Sequence, residues 1–318
     1  MIVLTLFLVF CGLVLLFGGG ELLTRGAVSM AQALGMSQLL IGLTVVAAAT
    51  SMPELVVALA AALEGSPDIA IGNVVGSNIA NIALILGTAT VICPMAANPH
   101  KVTRDGLAMV GATALFIVVA CTGTIGRLEG LGLLAMLGLY LAYSYYNDRG
   151  RQTAREEEEV TEAESQHCDS LWKCAGLVVL GVVLLVIGSH LLVEGAIDLA
   201  RAAGVSEAVI GLTLVAVGTS LPELATAIVA SYRRHPEVAL GNVLGSNVFN
   251  LLAIIGIVAF VKPLKVAPEI LTFDLWVMAA ITLALLGFLY LGRTIGRWHG
   301  LCFLVAYSAY MVLLFVRG

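Results

Sequence analysis

Two glutamates lie deep inside apolar stretches of the sequence, each in the same short motif. Residues 50–54 read TSMPE and residues 219–223 read TSLPE, so Glu54 and Glu223 close the two copies. An ionisable group at the centre of a membrane-spanning helix costs at least about 2.5–3.5 kcal/mol on insertion scales. Because both copies keep the acid, the hydroxyls and the proline together, we expect the glutamates to have a functional role.

The proline of each motif opens the backbone beside the glutamate. Pro53 and Pro222 have no amide hydrogen, so the carbonyl groups of Ala49 and Gly218, four residues earlier, lose their helical donors. Inside a membrane, irregular backbone of this kind is tolerated where it lines a polar cavity. The serine stands three residues before the glutamate in both copies, which places hydroxyl and carboxylate on one helix face.

A polar stripe follows each motif. Asn or Ser recurs every fourth residue, which puts the side chains on one face of the next helix. The two stripes are Asn73, Ser77 and Asn81, and Asn242, Ser246 and Asn250. Glycine pairs at 72–76 and 241–245 run alongside, at a spacing that lets helices approach closely. The stripes serve either as ion ligands or as hydrogen-bonding groups between helices.

Pooled from both copies, the candidate ligands are carboxylates, hydroxyls, amide carbonyls and freed backbone carbonyls. All are oxygen donors, and neither His nor Cys belongs to the set, which argues against zinc and copper sites. Calcium prefers about six to eight oxygen ligands in a flexible arrangement, and two carboxylates balance its charge. The same groups can hold several Na⁺ ions or protons, and competition for one site would couple the exchange of one ion for another.

The motifs belong to an internal repeat at a constant offset of 169 residues. Aligned without a gap, residues 41–87 and 210–256 are identical at 24 of 47 positions. A shared apolar composition does not explain this match, because the threonine, proline, glutamate and asparagine positions also coincide. The sequence therefore predicts two equivalent halves, 1–147 and 171–318, joined by an acidic linker at 148–170.

The composition places these halves in a membrane. Hydrophobic residues make up 60% of the 318-residue chain and charged residues 12%, against roughly 45–50% and about 25% in soluble domains. Since a span needs about 20 apolar residues, the sequence predicts an all-α integral membrane protein with ten transmembrane helices. The predicted spans are 2–24, 38–63, 69–93, 106–123, 129–147, 171–200, 207–232, 238–261, 271–291 and 298–316.

Equivalent helices of the two halves are five spans apart. Because five is odd, the second half enters the membrane from the opposite side, and the two five-helix repeats are predicted to be inverted. This architecture is typical of transporters that expose one central site alternately to each side. Glu21, Glu194 and Asp198 lie near the ends of predicted spans, where charges at the membrane boundary are expected.

The distribution of basic residues predicts the orientation. Lys and Arg divide 11 to 5 between the two faces, so both termini are expected outside and the linker 148–170 in the cytoplasm, in a plasma or bacterial inner membrane. The net charge is −5, and the chain has no basic patch of the kind that binds nucleic acid. The expected partners are the transported ions and the lipid bilayer; nothing in the sequence identifies a protein partner.

At its two motifs the sequence resembles the sodium/calcium exchanger branch of the calcium/cation antiporter superfamily, whose inverted repeats carry TS-x-PE and GN-x-x-GSN-x-x-N. The resemblance implies a Na⁺/Ca²⁺ antiporter that exports Ca²⁺ and needs no cofactor. It implies Ca²⁺ ligands at Glu54, Glu223, Thr50 and Thr219. It implies Na⁺ ligands at Ala47, Ser51, Glu54, Ser77, Asn81, Ala216, Thr219, Ser220, Glu223, Ser246 and Asn250, with Ala47 and Ala216 acting through backbone oxygens.

The sequence leaves other functions open. Some relatives carry Asp where this chain has Asn250, so the neutral residue argues against potassium co-transport. An H⁺/Ca²⁺ antiporter is the main alternative, although such exchangers typically show GN-x-x-E in place of TS-x-PE. A cation channel would conduct without a counter-ion, but channels usually build their pores from symmetric oligomers. An enzyme is not expected, because no nucleophile–base pair or metal-binding His cluster is present.

Overall fold

The computed structural model describes residues 2–96, 99–152, 170–202, 216–291 and 294–317, and this part of the chain is almost entirely helical. Most of the predicted linker lies outside the described residues, and so does the start of the second repeat motif, residues 210–215. The remaining parts of both repeats can be compared directly.

The described residues of the first half form eight helices and two short strands. The helices are α1 Ile2–Leu34, α2 Gln38–Ile41, α3 Ala47–Thr50, α4 Met52–Leu63, α5 Pro67–Ala80, α6 Gly87–Ile92, α7 Pro99–Ala120 and α8 Arg127–Gln152. The strands are β1 Met95–Ala96 and β2 Thr124–Ile125. Two π-helical turns, Gly42–Val46 and Asn81–Leu86, join α2 to α3 and α5 to α6.

The described residues of the second half follow the same order. The helices are α9 Leu171–Ala202, α10 Ala216–Gly218, α11 Leu221–Tyr232, α12 Pro236–Phe249, α13 Ile255–Val261, α14 Leu275–Leu291 and α15 Arg297–Arg317. The strands are β3 Leu264–Lys265 and β4 Thr294–Ile295. The π-helical turn Asn250–Ile254 joins α12 to α13, and a further turn, Ile270–Asp274, leads into α14.

Within the described residues, seven helices are long and apolar enough to cross a membrane. An eighth is added if α2 to α4 count as one bent span, since the segments 38–50 and 52–63 meet at 43°. The predicted span 106–123 coincides largely with α7. The predicted span 207–232 contains α11 and begins among residues outside the described part. The protein is therefore an all-helical membrane protein.

Helices α1 and α9 pack against each other through glycine faces. A Cβ atom built on Gly12 would lie 2.9 Å from the Gly188 carbonyl oxygen, and one built on Gly188 would lie 2.9 Å from that of Gly12. Gly19 and Gly181 are related in the same way, at 2.8 and 2.9 Å. Backbone approach this close leaves no room for a side chain and is typical of small-residue packing in membranes.

Other contacts between the halves are reciprocal as well. Gly87 packs on Gly300 and Gly130 packs on Gly256, in each case with backbone of one half close to backbone of the other. Strand β1 pairs antiparallel with β4, and β3 pairs antiparallel with β2, so each short strand pairs with a strand of the other half.

The helices that carry the polar stripes form the core. Burial reaches 72% in the segment 67–92 and 83% in 236–261, but only 17–33% in the other span candidates. Apolar side chains of these two segments face one another and the rest of the bundle, while the outer helices expose large apolar side chains such as Phe10, Val118 and Val305. The stripes are thus held at the centre of the bundle, away from the apolar exterior.

Candidate ion-binding site

Both proline motifs break a helix just before the glutamate. Ser51 leaves helical geometry at φ −83° and ψ 5°, and Ser220 does so at φ −92° and ψ 6°. The proline then occupies the first turn of α4 or α11, where a missing amide hydrogen is tolerated. As a result Glu54 and Glu223 each stand in the first turn of a new helix, beside an irregular stretch of backbone.

The backbone groups at the two breaks have different partners. The Ala47 carbonyl accepts the Ser51 amide at 3.0 Å and the Thr50 hydroxyl at 3.4 Å. In the second half the Ser220 amide donates to Val217 at 3.1 Å. The carbonyl of Gly218, freed by the proline, accepts a hydrogen bond from Ser189 of α9 at 2.7 Å.

Each glutamate is bound by the serine of the opposite half. The Ser51 hydroxyl donates to Glu223 Oε1 at 3.2 Å, and the Ser220 hydroxyl donates to Glu54 Oε1 at 3.2 Å. The two serines are separated by the repeat offset of 169, and so are the two glutamates, so the two hydrogen bonds are equivalent. The contact brings the two broken helices together at their breaks and places both carboxylates in one site.

The polar stripes surround this pair. Thr50 donates to Asn242 Oδ1 at 3.1 Å, and the Ser220 and Ser77 hydroxyl oxygens lie 3.4 Å apart. The Asn73 amide reaches the Glu54 carbonyl oxygen at 3.5 Å. The stripe of each half therefore contacts the broken helices, and two of the three contacts cross between the halves.

The site is buried and contains many polar atoms without a protein partner. Glu54 is 0% exposed and Glu223 is 1% exposed. Among the described residues, the buried side-chain atoms without a hydrogen bond include Glu54 Oε2, Glu223 Oε2, Thr219 Oγ1, Ser246 Oγ, Asn81 Oδ1, and both Oδ1 and Nδ2 of Asn250. A buried polar atom left unsatisfied costs about 1–3 kcal/mol. Nearly all of these atoms are oxygens, which a cation would satisfy.

The asparagines also mark a change in helix geometry. The π-helical turn that follows α5 begins at Asn81, and the equivalent turn that follows α12 begins at Asn250. Such turns are rare and occur frequently at functional sites. Both asparagines are at most 1% exposed.

The chemistry of this donor set is that of a hard cation site. No group of three or more His, Cys, Asp or Glu side chains that could hold a metal ion is found in the described part of the chain. The centre instead combines two carboxylates with neutral oxygens from hydroxyl and amide groups, a set that suits Ca²⁺ or Na⁺ better than zinc.

The structure brings most of the sequence-predicted ligands together. Hydrogen bonds join Ser51 to Glu223 and Ser220 to both Glu54 and Ser77. The Thr50 hydroxyl is bound to Asn242 of the second stripe. The remaining predicted ligands lie at the second break, which carries Thr219, and on the helices with the polar stripes, which carry Asn81, Ser246 and Asn250. Each of them has a buried oxygen without a protein partner among the described residues. Ala47 and Ala216 precede the two breaks, in α3 and α10.

Two residues gain importance from the structure. Asn242 lies on the predicted stripe, but only the fold shows that it accepts the Thr50 hydroxyl. Ser189 carries no sequence signal, since its equivalent in the first half is Gly20 and α9 shows no polar stripe around it. It becomes relevant because it satisfies the carbonyl that Pro222 frees.

Comparison with known proteins gives a consistent result. The family model described as "Sodium/calcium exchanger protein" matches residues 4–146 and 173–316. The sodium/calcium exchanger MaX1 of Methanosarcina acetivorans is 35% identical over 348 residues, covering 99% of each chain. The inner membrane protein YrbG of Escherichia coli is 33% identical over 290 residues, covering 87% of this chain and 86% of its own.

Solved structures show the same similarity. The sodium-calcium exchanger NCX_Mj, soaked with zero Na⁺ and Ca²⁺, superimposes with a TM-score of 0.85 at 29% sequence identity. The alignment covers 99% of this chain and 100% of the other. The two chains therefore share one fold over their whole length.

Proposed function

Because this chain belongs to the sodium/calcium exchanger family, whose members are secondary transporters and not enzymes, we propose that it exchanges Na⁺ for Ca²⁺ across the membrane by alternating access and exports Ca²⁺. The reciprocal pair of hydrogen bonds from Ser51 to Glu223 and from Ser220 to Glu54 carries this proposal. It joins two acidic motifs from opposite halves in one buried oxygen-rich centre.

The proposed architecture is ten transmembrane helices in two inverted five-helix repeats, residues 1–147 and 171–318, with 148–170 as the connecting linker. Its support is the reciprocity of the contacts between the halves. Gly12 packs on Gly188 and Gly19 packs on Gly181. In the same way β1 pairs with β4 and β3 pairs with β2. Such exchanged contacts are expected when two copies are related by a two-fold axis in the membrane plane.

The proposed Ca²⁺ ligands are Glu54, Glu223, Thr50 and Thr219. The proposed Na⁺ ligands are Ala47, Ser51, Glu54, Ser77, Asn81, Ala216, Thr219, Ser220, Glu223, Ser246 and Asn250. The glutamates belong to both sets, so Na⁺ and Ca²⁺ compete for the same charges. Because bound Ca²⁺ and bound Na⁺ both compensate the buried carboxylates, one ion replaces the other at the site, and this requirement couples the two fluxes.

The proposed orientation follows the basic residues. Both termini lie outside and the acidic linker lies in the cytoplasm of a plasma or inner membrane. The face that carries Arg233, Arg234 and His235 is then cytoplasmic, and the face that carries Glu64 and Ser66 is external.

The test is ⁴⁵Ca²⁺ uptake into proteoliposomes loaded with Na⁺. We expect uptake that requires an outward Na⁺ gradient, persists in potassium-free buffer and is unaffected when the pH is equal on both sides. Uptake driven by a proton gradient without Na⁺ would identify an H⁺/Ca²⁺ antiporter instead. Uptake without any counter-ion gradient would identify a channel, and either result would overturn the proposal.

A further inference from the structure

The α1/α9 pair packs on α11 of the second half, and among the described residues it makes no extended contact with α4, the equivalent helix of the first half. On α11, Val229 is 1% exposed, and a Cβ atom built on Gly20 of α1 would lie 3.0 Å from its side chain. The equivalent of Val229 in the first half is Ala60 of α4, which is exposed, and Val56 beside it is 65% exposed. No extended contact between α9 and α4 occurs among the described residues.

An ion cluster joins α1 to the end of α11. Glu21 pairs with Arg25 at 2.5 Å and with Arg233 at 2.6 Å. The Glu21 side chain is 13% exposed and is therefore largely buried between its two arginine partners. Arg233 directly follows α11, and this ion pair therefore ties the α1/α9 pair to the second half.

The equivalent cluster on the opposite face carries the reverse charges. At the offset of 169, Glu21 corresponds to His190, Arg25 to Glu194 and Arg233 to Glu64. In the part of the chain that the structure describes, the ion-pair partner of His190 is Glu194 on its own helix, at 3.9 Å, and the two side chains are 81% and 56% exposed. Glu64, at the end of α4, is exposed. Glu64 after α4 and His190 on α9 thus occupy the positions that Arg233 has after α11 and Glu21 has on α1, with the acid and the base exchanged.

We propose that Glu21–Arg233 is a latch that closes one membrane face in this conformation, and that His190–Glu64 is the latch that closes the other face in the alternate conformation. The inference rests on the proposed alternating access, in which each half adopts in turn the arrangement now seen in the other. Moving the α1/α9 pair from α11 to α4 breaks the first ion pair and forms the second. The two latches therefore set the balance between the two conformations.

The second latch depends on pH, because an imidazole is cationic only when protonated. The charged groups around His190 are Glu194 and Asp198 on its own helix and Glu64 across the gap; α1, packed on α9, has no charged residue before Glu21. At the first latch Glu21 faces Arg25, Arg233 and His235. Burial lowers the pKa of His235, and the neighbouring Glu21 carboxylate partly opposes this shift. Acidification is therefore expected to favour the alternate conformation.

The test uses a cysteine pair that reports the alternate contact and keeps all four latch residues. Gly20 and Val229 touch in this conformation, so their equivalents Ser189 and Ala60 are expected to touch in the other. With both replaced by cysteine in a background lacking the native cysteines, oxidative cross-linking measures the alternate population. This readout needs no ion flux, so its failure is distinguishable from failure of the proposed Na⁺/Ca²⁺ exchange.

We expect Glu21→Gln and Arg233→Gln to raise the cross-linked fraction by about threefold, the range of a partly exposed ion pair, and Glu64→Gln and His190→Gln to lower it. Arg234→Gln, next to Arg233 but outside the latch, is the matched control. The swap Glu21→Arg with Arg233→Glu is expected to restore the original ratio, which guards against misfolding of the single variants. Equal cross-linking in the Arg233 and Arg234 variants, or none under any condition, would overturn the proposal.

The pH dependence is measured with the same pair. Lowering the pH from 8 to 6 is expected to raise cross-linking in the chain with native His190, relative to the His190→Gln variant at the same pH. Replacing His235 by Gln is expected to leave this difference in place. A difference that disappears with His235, or is absent with His190, would contradict the pH-sensitive latch.

Discussion

Helices α4 and α11 carry the same motif but sit in different surroundings. Both begin with a serine break and a proline, and both place a buried glutamate in the first turn. Beyond that turn α11 is covered by α1, whereas α4 exposes Val56 and Leu63 at 65% and 58%. The motif therefore determines the local geometry of the glutamate, while the position of the α1/α9 pair determines whether α4 or α11 is covered.

The difference between the halves grows with distance from the glutamates. At the centre, the two Ser–Glu hydrogen bonds have the same length. One step outward, Thr50 is bonded to Asn242, whereas the equivalent hydroxyl of Thr219 has no protein partner among the described residues. The two Ser–Glu hydrogen bonds are therefore symmetric, whereas the neighbouring threonines and the outer ends of α4 and α11 are not.

The largest effect is expected at the symmetric centre. Glu54→Gln and Glu223→Gln should each lower Ca²⁺ exchange by at least about 100-fold, because leaving a buried charge uncompensated costs about 3–5 kcal/mol. Uptake into Na⁺-loaded proteoliposomes measures this, with gel filtration as the check on folding. Asp68→Asn, which removes an exposed acid of the first half, is the control. Near-normal flux in either glutamate variant would break the paired-carboxylate site.

The next effect tests the glycine contacts between the halves. A Cβ atom on Gly130 would lie 2.8 Å from the Gly256 carbonyl oxygen, and one on Gly300 would lie 2.6 Å from that of Gly87. Gly130→Ala and Gly300→Ala should each reduce the free energy of unfolding by about 1–3 kcal/mol. The midpoint of thermal unfolding in detergent measures the loss. Gly132→Ala on the same helix meets nothing within 4 Å and should leave the midpoint unchanged; an equal loss there would refute the packing argument.

The serines allow a finer comparison. Ser220 donates to Glu54 and also lies beside Ser77, whereas Ser51 has Glu223 as its partner. Hydrogen bonds to charged groups contribute about 1.5–3 kcal/mol, so Ser220→Ala and Ser51→Ala should both raise the half-saturating Ca²⁺ concentration by about tenfold or more, with the larger change at Ser220. Ser308→Ala, on an exposed position of α15, serves as the control. A larger change at Ser51 would reverse the assigned order.

The smallest expected effect concerns one turn that the halves share. Arg234 adopts φ +61° at the position equivalent to Gly65, whose φ is +88°. Left-handed backbone costs a residue with a side chain roughly 1 kcal/mol, so Arg234→Gly should raise the unfolding midpoint slightly and Gly65→Ala should lower it. A Cβ on Gly65 meets nothing within 4 Å, so this pair isolates the backbone contribution. A lower midpoint in Arg234→Gly, or an unchanged midpoint in Gly65→Ala, would show that the two turns are not equivalent.

Much of the site could be predicted from the sequence because its motifs occur twice. The offset of 169 identified both glutamates, the hydroxyls and the stripes, and the proline positions indicated where the helices break. Spacing alone placed Ser51 beside Glu54, its neighbour on the same helix; the fold shows that its hydroxyl bonds Glu223 instead. Contacts between halves of this kind depend on how the broken helices meet, which no local pattern records.

Other features were visible only in part. The glycines of α1 recur every seventh residue at 12, 19 and 26, as do their equivalents in α9, and this spacing indicates a packed helix pair. The asymmetric coverage of α4 and α11 leaves no trace in the sequence, because the two motifs are closely similar and differ in what packs on them. The role of Ser189 is likewise absent from the sequence pattern, since it depends on the break between α10 and α11 that leaves the Gly218 carbonyl free to accept its hydroxyl.

The most direct test of the central claim, that two inverted copies build one carboxylate site, is the sidedness of two equivalent turns. Ser66 precedes α5 and His235 precedes α12, at the same position of the repeat. Single cysteines at these positions, in a background lacking the native cysteines, are exposed to an impermeant thiol reagent added from either side of the membrane. We expect labelling of Ser66→Cys only from outside and of His235→Cys only from the cytoplasmic side. Labelling of both from the same side would contradict the inverted repeat, and with it the pairing of Glu54 and Glu223 in one centre.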